Sequence, residues 1–300
     1  MISSLRTSDE RFLNTLSQIN NRLAKAQQQS ASGKRLLDVS DDPDQVTSLL
    51  TARASLSRVQ QVQTNLGRIK TETDAAEVAI SNSVKIMERA RVLATQGLNG
   101  TQTAESRAAI ASEVNNLVQQ LANASNTYVN GRFIFSGDSD QTQSFLYTAN
   151  PQSISAYQGA PATRLALHIA GNAFVVSKDG EEIFANADPA KNAFAALTSL
   201  GAALTANDPA AISQAMTDIT SSDNHLNQML AWYGAAQNRV AEAIDTANKS
   251  EISLKAEIGQ AEDADMSEVL LEMQRAAFQQ EVALSSRAQV PQKSLFDYLG

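Results

Sequence analysis

Between Ser32 and Gln45 the chain reads SGKRLLDVSDDPDQ, a Gly-Lys pair followed by four aspartates, residue types that elsewhere serve phosphate or metal chemistry. A phosphate loop of the Walker kind requires G-x-x-x-x-G-K-[ST]; here Arg35 follows Lys34 and no Gly stands five places before Gly33. A calcium loop requires alternating oxygen ligands, a Gly at its sixth position and a Glu at its twelfth, a ladder that Asp38, Asp41, Asp42 and Asp44 do not supply. What the residues do spell is a helix end and a helix start. Gly33 suits the left-handed stop, with Lys34 and Arg35 near the negative end of the helix dipole. Asp42 is the cap, Pro43 the first helical residue, and Gln45 stands where a capping box closes. EIGQAEDADMSE, Glu257 to Glu268, repeats the device with Gly259 as stop, Asp265 as cap and Glu268 as its box partner.

Other reactive groups are sparse. Acyl or phosphoryl transfer through a side chain needs a nucleophile, a base and a group orienting the base. The chain has no Cys and two His: His168, in an expected strand, and His225, expected on a helix surface. The acidic pairs Glu181-Glu182 and Asp41-Asp42 fall in expected turns with no partner constellation. Met266, Met273 and Met87 sit at helical spacing among Leu, the pattern of packing rather than of a soft-metal site. These residues predict no enzyme, no cofactor and no metal.

Composition agrees. A formal charge of -8, from 24 basic and 32 acidic residues without a basic run, excludes a nucleic-acid footprint. No apolar stretch is long enough for a signal peptide or a membrane span, which on these rules alone points to the cytoplasm. Aromatics make up 5% of a chain otherwise rich in helix formers.

The elements expected to carry the stop-start devices are long helices. Phe12, Leu16, Ile19, Leu23 and Ala26 form a heptad seam in the first segment. A stripe from Leu49 through Leu66, Ile80 and Met87 to Leu93 marks a second helix from about 43 to 96, and Ile110 to Tyr128 a third. From NGRFIFSGD to about Ala187, short apolar and aromatic runs bounded by Gly, Pro, Asn and Asp predict a small antiparallel β unit that takes in TRLALHIA and EEIFA. Helical periodicity returns with Leu226, Leu230, Tyr233, Val240 and Ile244, and again with Met266, Leu270, Met273, Ala277 and Leu284. The fold class is mainly α with an inserted β domain: an antiparallel helical rod from the N- and C-terminal regions, divided into terminal arms (1–42 and 263–300), a helical rod (43–130 and 205–262) and a β-rich insertion (131–204).

The motifs QQQSASGKRLLDVSDDPDQ, RARVLATQGLNGT and NTYVNGRFIFSGD, with YGAAQNRV and EDADMSEVLLEMQRAAFQQEVALSSRAQVPQKSLFDYL, closely resemble the terminal regions of bacterial flagellins over about residues 1–140 and 205–300. The Pro of SDDPD, the NGRFIFSGD stretch, the short middle and the KSLFDYL ending resemble the hook-associated branch at the hook-filament junction. A minor filament flagellin is the alternative, with a cytoplasmic coiled-coil adaptor behind it. The resemblance implies a structural subunit of the flagellum, exported through the type III apparatus without a cleaved signal and therefore extracellular. Its implied partners are the first hook-associated protein, flagellin, further copies of itself in a ring, and an export chaperone. It also implies that the stretch around Arg89 and Arg91 faces neighbouring subunits.

The arms carry narrow apolar seams amid many Gln, Ser and Ala, so they are expected to be disordered in the monomer and to order as an assembly coiled coil. Leu16, Ile19, Leu23, Met266, Leu270, Met273 and Leu284 are the expected assembly contacts, and Leu295, Phe296 and Leu299 the expected channel-side or chaperone contacts.

Overall fold

The computed structural model describes residues 2–38, 42–149 and 152–288. Its helices are α1 (Ile2–Ser32), α2 (Pro43–Leu98), α3 (Ala104–Ser125), α4 (Gly180–Phe184), α5 (Ala193–Thr205), α6 (Pro209–Glu262) and α7 (Met266–Ala288). Between α3 and α4 lie β1 (Tyr128–Val129), β2 (Arg132–Phe133), β3 (Tyr147–Ala149), β4 (Gln152–Ile154), β5 (Leu165–Leu167) and β6 (Ala173–Val175). No described helix is long and apolar enough to cross a membrane. The chain is thus mostly helical with small antiparallel strand pairs in its middle.

It forms two compact units, one of residues 1–58 with 250–300, the other of residues 59–249. The divisions fall inside α2 and α6, not at the expected breaks 42/43 and 262/263. Within the first unit, Glu262 at the end of α6 pairs both with Arg53 of α2 and with Lys34 just past α1, which ties those helix ends to the arm.

The second unit is built on α2, α3, α5 and α6. Ile80, Met87 and Leu93 from α2 meet Val114 and Leu121 from α3, Leu197, Leu200 and Leu204 from α5, and Ile212, Ile219 and Leu226 from α6, all with almost no exposure. Buried Ala90, Ala94, Ala111, Ala122, Ala196 and Ala215 let the backbones approach closely. Gly97 marks the tightest point, since a Cβ there would lie 2.5 Å from Leu204 Cδ2. Arg107, 7% exposed, finishes α2: its Nε donates to Gly97 O at 2.8 Å and its Nη1 to Asn207 Oδ1 at 2.5 Å, a cation at the negative end of the helix.

The middle region differs from a single β unit. It is three separate two-stranded pairs, β1-β2, β3-β4 and β5-β6. The first turns through Asn130 and Gly131, both at positive φ, the Asn-Gly tight hairpin. EEIFA, expected as strand, is α4: Asp179 caps it, its Oδ1 accepting the Glu182 N–H at 2.9 Å, so the local capping chemistry outweighs the β-like run. Residues 193–204, expected within the β-rich insertion, are helical as α5. Its exposed stripe is Ala195, Thr198, Ser199, Ala202 and Thr205, small and weakly polar side chains that give the period little contrast in the sequence. Phe135 meets Phe184 edge-on at 5.2 Å and Phe145 meets Phe194 at 4.8 Å, so the insertion is fastened to the helices by aromatic packing.

Candidate assembly interface

The two turns that the sequence marks as stop-start devices lie together in the first unit. Gly33 has φ +70° and its N–H donates to Gln29 O at 2.8 Å, ending α1. Asp42 Oδ1 accepts the Gln45 N–H at 3.3 Å at the head of α2, where Pro43 is the first residue. Asp265 Oδ1 accepts the N–H groups of Ser267 at 2.8 Å and Glu268 at 3.3 Å at the head of α7.

Three expectations fail here, two of them because a tertiary partner wins. Gly259 is not a stop: α6 runs on to Glu262, and Gly259 O accepts the Asp263 N–H at 2.8 Å. Gln45 Oε1 is taken by the Arg35 guanidinium. Lys34 and Arg35 serve the end of α6 instead of α1. Arg35 donates through Nη2 to Ala261 O at 2.9 Å and through its backbone to Glu262 O at 2.7 Å, while Ala264 N–H donates to Gly33 O at 2.9 Å. The centre of this node is Glu262, 5% exposed, whose carboxylate is paired with both Lys34 and Arg53. The Lys34 ammonium beside it, with help from Arg53, holds its carboxyl below the usual carboxylate range against the opposing effect of burial.

Above the node α1 packs on α7. The apolar side chains buried on these two helices, among the described residues, are Ile19 and Ala26 of α1 and Val269 and Ala276 of α7. Leu16, Leu23 and Met273 are half-buried beside them. Met266, Leu270 and Leu284 are instead 39%, 43% and 50% exposed, because α7 is turned by one residue from the expected heptad: small Val269 and Ala276, not the longer Leu and Met, occupy the close seam. Also open to water are Leu13, Leu271, Phe278 and Val282. Leu13 and Phe278 each stand one step off an expected seam position, a signal present in the sequence that a strict heptad overlooks.

Polar groups fix the register of the pair. Arg22 reaches Glu272 at 2.6 Å, Gln280 Nε2 donates to Asn20 Oδ1 at 3.0 Å, and Arg287 pairs with Asp9 and lies 5.6 Å from the centre of the Phe12 ring. Beside the seam, Ile19, Phe278, Val282 and Ala283 line an open groove of about 380 Å³ fringed by Thr15, Gln18, Arg22 and Gln279. An apolar groove on so thin a pair suits the side chains of another helix, not a small substrate. Leu295, Phe296 and Leu299 lie outside the described residues.

The remaining candidates for chemistry do not gather. His168 lies one residue past β5, where its N–H donates to Asn172 O at 2.8 Å. His225 is not a surface residue: α6 begins at Pro209, which places it mid-helix, 6% exposed, with Nε2 2.8 Å from Glu182 O. Glu181 and Glu182 belong to the first turn of α4, not to a turn between strands, and Glu182 is paired with Lys178. Arg89 is held by Glu113 of α3, its Nε 2.8 Å from Oε1. Among the described residues no three His, Asp or Glu converge as metal ligands.

Comparison with known proteins places the two helical ends in one family. Residues 5–140 match the bacterial flagellin N-terminal helical region and residues 210–299 the bacterial flagellin C-terminal helical region. Flagellin A of Helicobacter pylori is 30% identical over 141 residues, 47% of this chain and 28% of that one. Flagellin of Listeria monocytogenes is 25% identical over 283 residues, 91% of this chain and 90% of that one. Flagellar hook-associated protein 3 of Escherichia coli is 27% identical over 160 residues, 52% of this chain and 48% of that one. In fold, the chain is similar to flagellar hook associated protein-3 of Legionella pneumophila, with a TM-score of 0.61 at 15% identity over 70% of this chain and 98% of that one.

Proposed function

Because the chain belongs to the bacterial flagellin family, a structural component of the flagellum and not an enzyme, we propose that it is the subunit joining hook to filament. The observation that carries this reading is the α1-α7 pair. Two helices of 31 and 23 residues bury little between them while Leu13, Phe278, Val282 and Leu284 stay in water. A helix pair so thinly covered gains stability when further helices close on it, at about 25 cal/mol per Å² of apolar surface withdrawn from water. Ordering of the arms and assembly are then one event. Copies of this chain meet side by side through the arms, with the first hook-associated protein on one side and flagellin on the other. Export proceeds through the flagellar type III apparatus, with a chaperone covering the C-terminal seam beforehand.

The junction role is favoured over a filament role by the Pro of SDDPD, the NGRFIFSGD stretch and the short middle. A minor filament flagellin is the second reading, favoured by the near full-length alignment with the Listeria flagellin. The two differ in a simple experiment. A junction subunit added to purified hooks primes them for filament growth by flagellin and makes no filament alone, whereas a filament subunit elongates without a second protein.

A further inference from the structure

The β5-β6 hairpin turns Ala166 and Phe174 inward onto Val62, Leu66, Ile69 and Val240. Its other face points Leu165, Leu167 and Val175 outward, 53%, 52% and 47% exposed. Alternation along the strands places the three on one side, with Leu165 directly opposite Val175. A two-stranded sheet with one face on a core ordinarily shows polar residues on the other, so an apolar outer face marks a contact surface.

Beside this face opens a cleft of about 230 Å³, walled by Leu165, Leu167 and the apolar side of α2, into which Arg68, Arg132 and Arg164 project. One carboxylate lines it with them, Glu72, which pairs with Arg164 and lies 3.9 Å from Arg132. Arg132 also reaches Asp140 at 2.9 Å. Arg68 meets Asn65 Oδ1 at 2.9 Å and, among the described residues, has no carboxylate within ion-pair distance. Arg164 Nε is buried without an acceptor, the only side-chain nitrogen or oxygen so placed among the described residues. Of the three guanidiniums around the opening, Arg164 and Arg132 face Glu72, with Asp140 and Asp138 beside them, while Arg68 is left without a carboxylate and one buried Arg164 donor without an acceptor.

We propose that the cleft and the hairpin face together receive an acidic segment, flanked by apolar side chains, from a second copy of this chain. Guanidinium forks select carboxylates, and the adjoining Leu and Val select an aliphatic neighbour of that carboxylate. A second copy has the required chemistry, because 32 acidic residues against 24 basic ones leave the surface away from this cleft predominantly negative. A cationic cleft meeting a different, acidic surface of the next copy is a heterologous contact, the kind that repeats around a ring. The inference rests on the functional reading above, in which copies stand side by side, and adds to the arms a contact in the second unit.

The test uses the full chain. Arg68→Glu and Leu167→Ser change exposed groups, and circular dichroism and thermal melting verify that each variant folds as the unaltered chain does. Sedimentation velocity across a concentration series is expected to show oligomers of the unaltered chain and association weakened about tenfold or more in both variants. A p-benzoylphenylalanine placed at Leu167 is expected to crosslink copy to copy, to a peptide containing an Asp or Glu beside an aliphatic residue. Oligomers of the variants equal to those of the unaltered chain overturn this inference alone. Crosslinks to flagellin or another flagellar protein with no copy-to-copy product overturn the second-copy assignment. No oligomer of the unaltered chain, with hooks still primed for filament growth, overturns this inference alone, whereas failure to prime hooks overturns the functional reading and the inference with it.

Discussion

Glu262 pairs with two cations from a position almost out of water, which makes the node between the two turns depend on one carboxylate. Replacing it, Glu262→Gln, leaves Lys34 and Arg53 without their anion. We expect the opening free energy around residues 29–35 and 259–265, measured by hydrogen exchange in the hook-bound assembly, to fall by about 1–3 kcal/mol. The sign with pH follows from its depressed pKa. The folded carboxyl gives up its proton more readily than the unfolded one, so its contribution is complete above the ordinary value of about 4.5 and is lost as pH falls through the lower folded value. Exchange protection of the node should therefore weaken on acidification in the unaltered chain, and Glu262→Gln should abolish that component. Glycines give a second residue-scale contrast. At Gly137, φ is +59° and a Cβ would lie 1.8 Å from Ala160 O, whereas Gly171, at φ +88°, has open space around it. Gly137→Ala is expected to cost about 3 kcal/mol or more by denaturant unfolding of the second unit, Gly171→Ala about 1. At this scale the sequence was legible where chemistry is local: Gly33, Asp42, Pro43 and Asp265 need only neighbours along the chain. Gln45 and His225 were not, because distant partners decide what they do.

Among the elements, α7 shows how little separates a correct helix from a correct face. Its helical period is plain in the sequence, but a rotation of one residue sends Met266, Leu270 and Leu284 outward and brings Val269 and Ala276 against α1. Heptad spacing fixes a stripe only to within its own width, and the choice between adjacent stripes belongs to the partner helix. The consequence is testable. Phe278→Ser and Leu13→Ser, on exposed positions, should leave the stability of the isolated chain within about 0.5 kcal/mol. Either should impair assembly on hooks, scored by electron microscopy. Ile19→Ala, in the seam itself, should impair assembly more strongly and likewise leave the isolated chain's stability little changed, because the seam orders only on assembly. Hidden for another reason was α5, whose Phe194, Leu197, Leu200 and Leu204 are all buried. Its outer stripe of Ala195, Thr198, Ser199, Ala202 and Thr205 contrasts little with that buried face, and the β-like runs before it extend the wrong expectation. The hairpin β1-β2 carries its Asn-Gly turn in VNGR, yet Tyr128, expected on the third helix, is the first residue of its first strand, because α3 ends at Ser125.

For the whole molecule, the contrast lies between a second unit with a continuous core of Leu, Ile, Met and aromatic residues and a first unit whose arm pair is held by few apolar contacts and several surface ion pairs. Surface pairs of this kind contribute little individually, so they set register more than stability. The unit boundary within α2 and α6 could not be seen in the sequence, because neither helix is interrupted there. Hydrogen exchange on the dilute monomer and on the hook-bound assembly, compared segment by segment, tests the central claim most directly. Amides of α1 and α7 should exchange quickly in the monomer while the cores of α2, α3, α5 and α6 within residues 59–249 stay protected, and the arms should become protected only on assembly. Arms as slow to exchange in the dilute monomer as that core, and unchanged on assembly, would contradict it.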